Sequence, residues 1–135
     1  MKIVYAELPL FAELAGLDGP PLIAEAIAFG PLSWIRVGPE FTRRPEDERA
    51  AILAHEQGHV AGWHTAKRLL WCVLMLPLWA PDWVARRCLE QEFAADAYAR
   101  ELGHGAALLR ALRSLPRCGD LDRRIARLEG EMVYE

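Results

Sequence analysis

The spacing of apolar and polar positions changes several times along this chain of 135 residues, and each change predicts an element. Residues 2–6 alternate weakly and predict a strand or an extended arm. Leu8 to Leu17 reads as a short helix, ended by the turn Asp18-Gly19-Pro20-Pro21. Two short apolar runs follow, Leu22–Ala28 and Leu32–Val37, with Gly30-Pro31 between them. That pattern predicts a hairpin or two adjacent strands, the second closed by Gly38-Pro39. The period then becomes helical. Pro45 suits a first helical turn, and Glu46, Asp47 and Glu48 complement the positive end of its dipole. This helix is expected to reach about Lys67, with Ile52, His55, His59 and Trp63 along one stripe.

From Leu69 to Pro81 the chain has 13 uncharged residues. A membrane-spanning helix needs about 20, and a run of about 10–14 is more often buried or interfacial. Pro77 and Pro81 also limit any continuous helix. The expectation is a packed core or lid segment, with a peripheral membrane contact through Leu69–Pro81 as the alternative. Asp82 can cap the next helix, which stops at Gly103. Gly105 to Leu115 predicts another helix, and Pro116 and Gly119 separate it from a last one. No internal repeat or low-complexity tract interrupts this order. One domain over residues 1–135 is expected, of a length that can bury a core without a metal to hold it.

Composition narrows the function classes. The 16 basic and 19 acidic residues give a net charge of −3, so nothing suggests a nucleic-acid surface. Cys72, Cys88 and Cys118 are odd in number and widely spaced, which implies a reducing, cytoplasmic compartment rather than a disulfide framework. The N-terminus carries Glu7 before any apolar run forms and does not read as a signal peptide.

The chemistry concentrates in His55-Glu56-Gln57-Gly58-His59. Residues four apart on a helix share a face, so two neutral imidazoles can bind one Zn²⁺ while Glu56 flanks them. Catalytic zinc usually takes a third side chain and leaves a position open for water. His64 follows His59 by five residues, and a short helix turn could bring it near the metal, but at the wrong angular phase. A better third ligand lies in Glu90-Gln91-Glu92-Phe93-Ala94-Ala95-Asp96. Glu92 and Asp96 are again four apart, so Glu92 can coordinate while Asp96 accepts from the second N–H of a ligand histidine. Glu90 reads as a solvated position. Phe93, Ala94, Ala95 and Ala97 surround the other two acids with small and apolar residues.

HExxH followed by Glu-x-x-x-Asp, in the setting Glu92-Phe93-Ala94-Ala95-Asp96-Ala97-Tyr98-Ala99, resembles the HtpX / CAAX-prenyl-protease family of gluzincin zinc metallopeptidases, including its small minigluzincin members. Ala26–Gly30 and Ile35–Val37 are similar to the two strands before that family's active-site helix, and Leu121–Leu128 to its closing helix. The resemblance implies His55, His59 and Glu92 as zinc ligands, Glu56 as general base and Asp96 as the group that orients a ligand. Two departures stand out: Ala97 replaces a common Arg, and the His-Pro that usually introduces the last helix is missing near Pro116. A second resemblance, to ImmA/IrrE-type metallopeptidases acting on repressors, is weaker, because Asp96 stands where Asn is typical. The expected fold is therefore α+β and zincin-like, with a small N-terminal sheet, an active-site helix and a mainly helical remainder. The expected activity is zinc-water hydrolysis of a peptide or protein substrate with Glu56 as base. A catalytically silent zinc-binding interaction protein is the reading from another class. His64, Tyr98, His104 and Arg124 are candidates for the oxyanion, with no choice among them. In zincin-type sites the strand before the motif helix is a sheet edge that receives the substrate, which points to Leu32–Val37.

Overall fold

The structure, a computed structural model, describes residues 2–5, 23–29 and 31–133. The fold is α+β. Three strands, β1 (Lys2–Tyr5), β2 (Ala24–Phe29) and β3 (Leu32–Val37), form one sheet in the order β1-β3-β2. The expected hairpin is β2–β3, antiparallel with Ala26 opposite Ile35, and the weak alternation at the N-terminus is β1, parallel to β3. The helix expected at Leu8–Leu17 and the turn at Asp18–Pro21 lie outside the described residues.

This topology corrects one expectation. Leu32–Val37 is the central strand, hydrogen-bonded on one side to β1 and on the other to β2. The hairpin occupies one flank of it, and the N-terminal strand takes the other. The edge that faces the helices is β2.

Seven helices follow among the described residues: α1 (Pro39–Arg43), α2 (Glu46–Ala61), α3 (His64–Val73), α4 (Leu76–Trp79), α5 (Pro81–Ala99), α6 (Gly105–Arg113) and α7 (Gly119–Met132), with a π turn at Arg100–His104 between α5 and α6. The short α1 was not legible as a helix, since Gly38-Pro39 reads first as a strand terminator. α2 divides the core. Its Ala51 and Ala54 pack against Leu108, Leu112, Ile125 and Leu128 of the helical layer. Ile52, on its other side, packs with Ile35, Val37 and Phe41 over the sheet. Gly58 brings α2 and α5 together: a Cβ there would sit 2.8 Å from the Ala95 Cα, closer than such atoms approach. Only a residue without a side chain lets these two helices meet at that level.

The helix predicted to run to Lys67 instead ends at Ala61. Trp63 adopts a left-handed conformation, φ 56°, which breaks the 3.6-residue phase before α3 begins at His64. The expected stripe therefore fails at its last member: Ile52, His55 and His59 are buried, whereas Trp63 is exposed.

Leu69–Pro81 is the second correction. It is not packed core, because Leu69, Leu70, Val73, Leu74, Met75, Leu78 and Trp79 all stand exposed on α3, α4 and the turn at Met75. Asp82 makes no side-chain cap bond either. α5 begins at Pro81, whose missing N–H costs nothing in a first turn. Cys72 and Cys118 are exposed and Cys88 is half-buried, all three as free thiols.

Candidate metal centre

α2 and α5 cross where Gly58 meets Ala95, and that crossing assembles the site. His55 and His59 point from α2 toward Glu92 on α5. His55 Nε2 lies 3.1 Å from His59 Nε2 and 3.3 Å from Glu92 Oε2. His59 Nε2 lies 3.4 Å from Glu92 Oε1. A tetrahedral ion with bonds of about 2.0–2.1 Å separates its donors by about 3.3–3.4 Å. The two imidazole nitrogens and the Glu92 carboxylate, which meets each of them through a different oxygen, lie at about this spacing, and His55, His59 and Glu92 could hold one metal ion between them.

The outer nitrogens of both imidazoles also face polar neighbours. His55 Nδ1 lies 2.8 Å from Asp96 Oδ1. Asp96 is gripped by Arg124, whose Nε and Nη2 donate to its two oxygens at 2.8 and 2.7 Å. This fork fixes the plane of the carboxylate and so the direction from which it meets His55. His59 Nδ1 lies 2.7 Å from the Nδ1 of buried His64. The left-handed Trp63 is what delivers His64 there, by cancelling the phase that a continuous helix would have imposed. Gly62 makes room for it, since a Cβ at that position would fall 2.3 Å from His64 Nε2.

The charges follow from these contacts. Burial opposes the positive form of His55, but Asp96, Glu92 and Glu56 outweigh it and raise its pKa from 6.5 to about 9. Burial likewise opposes ionised Glu92, yet His55 and His59 hold it well below the usual carboxylate range. Asp96 is held down by Arg124 and His55 against the same burial penalty. Glu56 goes the other way: burial pushes its carboxyl up, with His55 and His59 only partly opposing. Burial and the adjacent His59, Arg68 and Lys67 push His64 down to about 4, so its ring is neutral and can accept from His59 Nδ1–H.

Beside these residues lies a cavity of about 670 Å³. His55, Glu56, His59 and Glu92 open onto it, β2 forms one wall from Ile23 to Ile27, and Leu108, Ala111 and Leu112 of α6 form an apolar one. The Ala26 backbone amide donates to Glu56, and the Ala26 carbonyl accepts from Thr65 Oγ1 at 3.2 Å. Both polar groups of Ala26 thus point away from β3 and toward the site.

Every residue expected in the site from the sequence converges here: His55, Glu56, His59, Glu92 and Asp96. Of the four oxyanion candidates, His64 and Arg124 line the cavity, while Tyr98 and His104 are not among its walls. Exposed Glu90 pairs with Arg87 rather than entering the site. Arg68 had no reading in the sequence. It donates to Gln91 Oε1 at 2.7 Å and to Glu92 Oε1 at 3.1 Å, and so steadies the carboxylate from outside.

Residues 41–81 match the family model of Peptidase family M48. The matched stretch holds the motif helix, His64 and the α3–α4 segment. Glu92, Asp96 and Arg124 lie beyond it and enter the site on geometry alone. The match supports a metallopeptidase function. Neither a curated protein nor a solved structure matches the chain.

Proposed function

We propose that this chain is a zinc-dependent endopeptidase of the gluzincin type, similar to the HtpX / CAAX-protease and minigluzincin group. His55, His59 and Glu92 would hold the zinc. One observation carries the reading: three donors with tetrahedral spacing face a cavity beside a buried carboxylate that is not needed to hold the metal. Zinc bound there would supply Lewis-acid polarisation of the scissile carbonyl and a more acidic water.

The protein's own groups do the rest. Glu56, its pKa raised by burial, takes a proton from the attacking water and returns it to the leaving amine. Asp96, fixed by Arg124, directs His55, and His64 directs His59. The side of β2 that faces the cavity offers Ala24 main-chain groups to an extended peptide, because Ala26 is already committed to Glu56 and Thr65. The substrate strand thus belongs on β2 rather than on Leu32–Val37.

Glu56→Gln tests the enzymatic role. It keeps size and hydrogen bonding but removes the base, so it should fold, bind zinc and lose cleavage of a peptide library by about 10²–10⁴-fold. Cleavage equal to the parent would remove Glu56 from the mechanism. A silent zinc-binding module would show no turnover in either form. A repressor-directed enzyme of the ImmA/IrrE kind would cleave one folded regulator and spare the library.

A further inference from the structure

The segment between the motif helix and α5 forms a helical hairpin whose outer end is apolar. Its two limbs, α3 and the start of α5, are linked by long side chains: Trp71 and Trp83 meet edge to face at 5.4 Å, and Arg68 reaches Gln91. The turn and α4 are therefore the tip. Val73, Leu74, Met75, Leu78 and Trp79 project from it, with Leu78 74% and Trp79 81% exposed. Side chains of this size in one contiguous group mark a contact surface.

What surrounds the tip indicates what covers it. Residues 57–81 contain no acid, and Asp82 is the only one before Glu90. Against it stand Lys67, Arg68, Arg86 and Arg87; Arg68 is turned to Gln91 and Glu92 and Arg87 to Glu90, so exposed Lys67 and Arg86 carry the positive charge of the hairpin. Lys67 lies six residues from Val73 and Arg86 five from Pro81, which at 1.5 Å per residue sets the basic belt about 8–9 Å behind the apolar end. An interfacial helix buries its apolar face by about 5–10 Å. The Trp71–Trp83 pair, with the Arg87 guanidinium 5.2 Å above the Trp83 ring, sits at the depth where amphipathic aromatics collect in a bilayer. Two copies meeting through this surface would bring two basic belts together, which disfavours self-association. No helix among the described residues is long and apolar enough to cross a membrane.

We propose that the tip of this hairpin, residues 73–79, docks into the surface of an anionic lipid bilayer, with Lys67 and Arg86 at the level of the lipid phosphates. This inference is independent of the chemistry at the metal centre.

The test is co-sedimentation of the full chain with vesicles of phosphatidylcholine alone and of phosphatidylcholine mixed with phosphatidylglycerol. The parent should bind the mixed vesicles more tightly, and binding should weaken with salt. Leu78→Ser with Trp79→Ser should reduce partitioning on the order of a hundredfold. Lys67→Gln with Arg86→Gln should reduce binding to mixed vesicles by about 20–30-fold, leaving phosphatidylcholine binding nearly unchanged. Circular dichroism should be that of the parent in both variants, since all four side chains are exposed. Failure of the parent to bind mixed vesicles at low salt would overturn the proposal, as would unchanged binding by the tip variant. A dimer that the tip variant dissolves, with no vesicle binding, would also overturn it and assign the surface to a second copy.

Discussion

Replacing His64 with alanine should weaken metal binding without touching any of the three proposed ligands. His59 presents Nε2 to the metal position, so the proton of its neutral ring resides on Nδ1, 2.7 Å from neutral His64. Alanine leaves that N–H buried and unpaired, at a cost of about 1–3 kcal/mol. The ring then rotates or takes the other tautomer, and either change must be reversed before metal binds. Loss of such an orienting partner typically lowers affinity about 10–100-fold, or about 1.4–2.7 kcal/mol. Competition with a chromophoric zinc chelator measures this directly, and ¹⁵N shifts of the His59 ring report the tautomer. Gly62→Ala approaches the same ring from behind: its Cβ would fall 2.3 Å from His64 Nε2 and must displace His64 from His59. The two variants should therefore weaken zinc to a similar degree, although one removes atoms and the other adds them. His64→Ala with the parent's zinc affinity and an unchanged His59 tautomer would refute the reasoning.

Three further outcomes follow from the site. In the metal-free protein, His55 has a pKa of about 9 against 6.5 unfolded, so its ion pairing stabilises fully below about pH 6.5 and is lost as pH rises through 9. The melting temperature of the metal-free form should fall across that window, while zinc affinity should rise by up to about tenfold per pH unit as the competing proton leaves; a flat response in both would count against the His55 contacts. Arg124→Ala strands the buried Asp96 carboxylate and should cost about 3–5 kcal/mol by urea denaturation, whereas a change under 1 kcal/mol would show that the fork carries little. Adding a non-cleaved peptide to the Glu56→Gln protein should slow amide exchange at Ala24 while leaving Glu25 and Ile27 as they were, and unchanged exchange at all three would remove β2 as the docking strand.

The grouping of His55, His59 and Glu92 was legible because it depends on helical spacing, which side chains four residues apart carry openly. His55, His59, Glu92 and Asp96 needed only two helices and one crossing, and Gly58 permits that crossing. His64 was set aside as a ligand on its phase, and it is not among the three grouped donors; its place behind His59 depends on one left-handed residue, Trp63, that the apolar pattern does not announce. Gly62 beside it was the available signal. The strand order was not readable either, because a run such as Leu32–Val37 is apolar whether it lies at an edge or in the centre. Only its parallel pairing with β1 decides that. Leu69–Pro81 misled in the opposite direction, since an apolar run does not reveal whether protein covers it.

The Arg124 fork also has a consequence for the order of events during synthesis. His55, His59 and Glu92 all precede Arg124, which follows Glu92 by 32 residues. A nascent chain emerging from the ribosome holds every metal donor well before it holds the cation that fixes Asp96, and through Asp96 the ring of His55. Until α7 closes, Asp96 lacks its guanidinium and His55 its fixed direction. On the proposed function, a growing chain would therefore lack a completed hydrolytic site until α7 has formed and closed.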